Sequence, residues 1–70
     1  MTTRTALAEQ LDNLEAAIPA MTIEYPDRMD LLIAIAGEAD LIEDRALAAD
    51  DARYVSRRVD LILARAGLVE

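Results

Sequence analysis

Residues 51–69 read DARYVSRRVDLILARAGLV. Within them Val55, Val59, Ile62, Ala66 and Val69 recur at intervals of four, three, four and three, so one apolar residue returns to the same side of a helix at every turn. Two other segments carry a similar spacing: Leu7, Leu11, Leu14 and Ile18 near the start, and Leu32, Ile35, Ala39, Ile42 and Ala46 in the middle. Three amphipathic helices joined by short connections predict an all-α three-helix bundle. Helices 2 and 3 form an antiparallel hairpin and helix 1 packs against it. Residues 1–70 read as a single helical domain.

The boundaries follow from local chemistry. Thr2 or Thr3 supplies the hydroxyl that caps helix 1, and Pro19 disfavours helical geometry in the residue before it, so the helix is expected to end by Ile18. Its stripe is narrow and predicts packing on one surface only. Residues 19–26, PAMTIEYP, then form a connector in which Met21, Ile23 and Tyr25 lie over the end of the bundle. Pro26 or Asp27 opens helix 2, with Asp30 in its first turn, and the pattern runs to about Ala46. Gly37 inside that helix costs roughly 1 kcal/mol relative to alanine and is best understood if a neighbouring backbone comes close. Ala46–Asp50 reads as a turn chiefly because Asp50 and Asp51 suit a helix start, although one continuous helix is compatible with the pattern. Helix 3 runs from about Asp51 to Ala66. Gly67 then stands where a left-handed cap belongs, with Leu68 folding back behind it.

Composition removes most kinds of chemistry. The 70 residues contain no cysteine, no histidine, no lysine, no tryptophan and no phenylalanine, so disulfides, thiolate ligands and the commonest metal ligand are ruled out. The only two glycines, Gly37 and Gly67, are thirty residues apart, and no phosphate-binding loop can be built from them. We therefore expect no enzyme activity, no cofactor and no metal. A chain of this length is close to the limit of what one core can stabilise, and oligomerisation is the remaining reinforcement. No stretch is apolar over the length needed to cross a bilayer, which points to a cytoplasmic protein without a membrane partner. Arginine as the sole base, with abundant alanine, suggests a GC-rich bacterial or phage genome.

Fourteen acids against seven arginines give a net charge of −7, which disfavours nucleic acid as a partner. The acids gather in helix 2, where Glu38, Asp40, Glu43 and Asp44 form a strip beside Met29, Ile33 and Leu47. Asp40, Glu43 and Asp44 have the spacing at which carboxylates can approach one cation, yet such clusters are ordinarily solvated faces. In an antiparallel hairpin they lie beside Arg53, Arg57 and Arg58 of helix 3, which are the expected counterions. Helix 3 itself shows two apolar arcs. One holds Ala52, Val55, Val59, Ile62 and Ala66; the other holds Tyr54, Leu61 and Leu68, with Arg58 and Arg65 between them. The first arc belongs to the core. The second is a candidate homodimer face, or else is covered by the 19–26 connector.

The run Tyr54-Val55-Ser56-Arg57-Arg58 resembles the recognition stretch of repressor-type helix-turn-helix proteins over about three residues. That resemblance implies DNA binding through Arg53, Arg57 and Arg58. Asp50 departs from it, standing where such motifs bury an apolar side chain, and helix 2 is longer than their usual first helix. The reading that accounts for most residues is an acidic helical protein–protein interaction module, homodimeric through Tyr54, Leu61 and Leu68, with the acidic strip turned toward a partner. The alternative is an acidic phage or mobile-element inhibitor, a nucleic-acid mimic that binds a basic groove.

Overall fold

Thr3 begins the first helix as expected: its Oγ1 accepts from the Ala6 amide at 3.1 Å. The computed structural model describes residues 3–68, so Thr2 and Val69 lie outside the described residues. Three helices follow, α1 (Arg4–Glu24), α2 (Arg28–Glu43) and α3 (Ala49–Arg65), and each packs against the other two. Among the described residues there is no strand.

The clearest departure from the sequence reading is at Pro19, which lies inside α1 rather than after it. Proline removes one backbone donor and crowds the carbonyl four residues back, so a reason is needed for the helix to continue. The reason is burial on both sides of the proline. Leu7, Leu11, Leu14 and Ile18 are buried, and the same stripe continues through Met21 and Tyr25, which pack against the core at the next intervals of three and four. Pro19 itself points outward. Of the three apolar residues assigned to a connector, only Ile23 is left in solvent, at 82% exposure. The stripe also serves two neighbours, not one, since α1 packs on both α2 and α3.

Asp27 caps α2, its Oδ1 accepting from the amides of Met29 at 2.8 Å and Asp30 at 3.3 Å. The helix stops at Glu43, three residues short of expectation. Bonds from the Arg45 amide to Ile42 O and from the Ala46 amide to Glu43 O tighten the chain out of α-helical register. Ala46 is buried beneath this turn, which anchors it without glycine or proline. α3 then starts at Ala49, two residues early. Its cap, Ala48, offers no side-chain acceptor, and Asp50 and Asp51 in the first turn complement the helix dipole instead.

Helix α3 closes as the sequence predicts. Gly67 has φ +73°, its amide bonds to Ala64 O at 3.1 Å, and the Leu68 amide reaches Leu63 O at 2.9 Å. These two bonds define the Schellman cap, and Leu68 is folded into the core behind it. Val55 and Ile62 are buried and Val59 packs against them, whereas Ala52 and Ala66, placed on the same arc from sequence, are exposed. In α2, Leu31, Ile35, Ala39 and Ile42 are buried, with Leu32 half-buried at the edge. Among the described residues no polar side chain is buried.

Candidate functional site

Three ion pairs fix the direction of α3 against α1. Arg4 Nε meets Asp51 Oδ1 at 2.8 Å, Arg58 Nη2 meets Asp12 Oδ1 at 2.6 Å, and Arg65 Nη1 meets Glu15 Oε2 at 3.4 Å. The contacts ascend both helices together, so α1 and α3 run parallel along one side of the bundle. Arg53 pairs within its own helix, with Asp50 at 2.7 Å. Arg53, Arg58 and Arg65 therefore turn toward α1 and the start of α3, not toward the acids of α2 as the hairpin alone suggested, and Arg57 enters none of the described ion pairs. None of the described ion pairs involves an acid of α2.

This ladder also accounts for most of the candidate homodimer face. Tyr54 is half-buried against the core with the Arg4 guanidinium 4.4 Å from its ring centroid, and Arg58 Nη1 donates to its hydroxyl at 3.0 Å. The hydrogen bond to Asp12 holds the Arg58 guanidinium pKa above its ordinary range; burial opposes this, and the bond to Tyr54 adds a smaller upward contribution. Arg65 is occupied by Glu15, and Leu68 is inside the bundle. Leu61, at 44% exposure, is the one member of the Tyr54–Leu61–Leu68 set that stands substantially in solvent. Most of the 19–26 segment belongs to α1, which packs against α3, and its Met21 and Tyr25 pack against the core that holds Leu68.

The outward surface of α2 is different in kind. Glu38, Asp40, Glu43 and Asp44 are all exposed, as is Asp30 one turn into the helix. Among them stand Met29 and Ile33, each 65% exposed, with Leu41 and Leu47 beyond. Gly37 lies in the middle of this surface. A Cβ built on it meets nothing within 4 Å, so no neighbouring backbone of the same chain approaches it, contrary to the sequence expectation. Among the described residues no three acids, Asp40, Glu43 and Asp44 included, are grouped so that they could hold a metal ion.

Around the edge of α2 from this surface runs a groove of about 640 Å³ between α1 and α2, on the side that α3 leaves open. Leu14, Met21, Leu41 and Ile42 supply its apolar lining, Ala17 and Ala34 keep it wide, and Glu24 and Glu38 stand on it. At one end Arg45 Nη1, in the turn after α2, donates to Gln10 Oε1 of α1 at 2.9 Å. Sequence reading missed this groove because it took α1 to end at Ile18, which removes Met21 and Glu24 from the helix. Continuation of the stripe through Met21 and Tyr25 was the available signal. No protein-family pattern matches the chain, and neither does any curated protein or solved structure.

Proposed function

We propose that this chain is a small protein-binding module without catalytic activity, whose working surface is the acidic and apolar outer side of α2. The observation that carries the reading is the allocation of charge. Arg58 and Arg65 of α3 pair with α1 and Arg53 with Asp50, while Asp30, Glu38, Asp40, Glu43 and Asp44 are exposed and enter none of the described ion pairs. Interspersed Met29, Ile33 and Leu41 add apolar area that a purely solvated face would not carry. A basic partner with its own apolar residues answers both features. Self-association through α3 draws on Leu61 alone among the exposed apolar residues of its stripe, so α2 carries the reading.

Capture from an extract of the native host, comparing wild type with Asp40→Arg/Asp44→Arg, tests it. One partner should be retained by wild type and lost from the variant, with moderate weakening as salt rises. Very steep salt dependence favours the nucleic-acid mimic, whose contacts are nearly all charged. Equal retention by both proteins refutes a role for the acidic surface.

A further inference from the structure

We propose that the α1/α2 groove seats a fourth helix, an amphipathic segment of a partner protein with Lys or Arg flanking its apolar seam. The inference rests on the interaction-module reading and adds to the outer surface of α2 a second contact site with one partner chemistry. α1 and α2 lie antiparallel with α3 filling only one of the two valleys between them, and the other valley is the position that a fourth helix occupies in a four-helix bundle. On α1 the groove is lined from Gln10 to Glu24, which at 1.5 Å per residue is a track of roughly 21 Å, about four helical turns. Ala17 and Ala34 keep side-chain bulk out of its centre, so an incoming backbone can lie close.

Charge selects the occupant. Glu24 and Glu38 stand on the groove without an ion pair, and Arg45, the one cation on it, is already bonded to Gln10. A helix carrying basic residues beside its apolar seam gives both glutamates a partner while covering Leu41, which the isolated chain leaves 58% exposed. A second copy fits poorly. Each chain carries −7, and the exposed apolar residues of α2 come with the acids that surround them.

The probe is an 18-residue fluorescein-labelled Leu/Lys peptide with leucines at helical three-and-four spacing; a Leu/Glu peptide of the same spacing is the control. Anisotropy titration should show saturable one-to-one binding of Leu/Lys and none of Leu/Glu, with the largest amide NMR shifts in residues 13–24 and 34–45. Filling the groove with Ala17→Leu/Ala34→Leu should weaken binding by about tenfold or more, and Glu24→Lys/Glu38→Lys by about tenfold, since each 1.4 kcal/mol is a factor of ten. Asp60→Arg, exposed on α3 away from both surfaces, should change it by less than about threefold. Circular dichroism checks that each variant is folded; should the leucine pair unfold the bundle, the exposed Glu24→Lys/Glu38→Lys pair decides alone. Binding that survives the groove variants but is abolished by Asp40→Arg/Asp44→Arg overturns the groove and leaves the module reading standing. Absence of Leu/Lys binding also overturns the groove, and the host capture then judges the module separately. A wild-type dimer dissolved by Ala17→Leu/Ala34→Leu would show that a second copy is the occupant and refute the proposed chemistry.

Discussion

The same substitution should act with opposite sign at the two glycines. Gly37 is exposed, lies in the interior of α2, and has open space where a Cβ would be placed. Alanine there gains helix propensity without a clash, and the gain is about 1 kcal/mol. For a domain of this size, that amount raises Tm by roughly 4–8 °C. Gly67 also has open space, but its φ of +73° is one that a Cβ disfavours, so the cost of Gly67→Ala is conformational, of order 1–2 kcal/mol. Urea unfolding followed by circular dichroism, with thermal melts at several protein concentrations, measures both. Gly37→Ala should move the midpoint up and Gly67→Ala down, with the slope unchanged in each. A fall in stability for Gly37→Ala would refute the reasoning. If that fall grew with protein concentration, something packs on Gly37 in solution that the isolated bundle does not show.

Ile62, 1% exposed, cannot accept a charge: Ile62→Asp should unfold the protein outright, because several kcal/mol of uncompensated burial rivals the whole stability expected of 70 residues, and a native far-ultraviolet spectrum would contradict the assigned core. Pro19→Ala should stabilise by about 1–3 kcal/mol, since the exposed ring forfeits one helical hydrogen bond and contributes little packing; a lowered urea midpoint would show that Pro19 has a role beyond α1. Melting temperature should be nearly flat between pH 6 and 8, where histidine would ordinarily titrate and this chain has none. The raised Arg58 pKa contributes stability that is fully present below the ordinary arginine range and is lost only as pH rises through the folded value, far outside that window. Light scattering on wild type and Leu61→Glu tests the α3 homodimer: a wild-type dimer converted to monomer by Leu61→Glu supports it, and a wild-type monomer at high micromolar concentration ends it.

The apolar spacing alone carried most of the architecture. Leu7 through Ile18, Ile35 through Ala46, Val55, Ile62 and the Gly67 cap all stand where their intervals place them, because helical period and burial are the same information. Pro19 misled because a local rule competed with a tertiary one. The proline penalty is a property of two residues, whereas the burial of Ile18, Met21 and Tyr25 depends on what lies opposite, which spacing does not reveal. Charge pairing failed for a related reason. Chain order makes α2 the natural neighbour of α3's arginines, and only the assembled bundle shows Arg58 and Arg65 facing Asp12 and Glu15, some fifty positions away. The acids of helix 2 were visible from the start; that none of the described ion pairs involves them was not.

Parallel running of α1 and α3 has a mechanical consequence. Arg4 and Leu68 lie toward opposite ends of a body 35 Å long, and Leu68 is held there by the Arg28 guanidinium, which donates to its carbonyl at 2.7 Å. Tension applied between these two points loads the α1/α3 seam in shear. Arg4–Asp51, Asp12–Arg58, Glu15–Arg65 and the apolar stripe beneath them then share the force at once, instead of yielding turn by turn as they would if peeled from one end. Linked in series through those points, copies of this bundle would behave as short stiff struts with the α2 surface facing sideways, out of the line of pull.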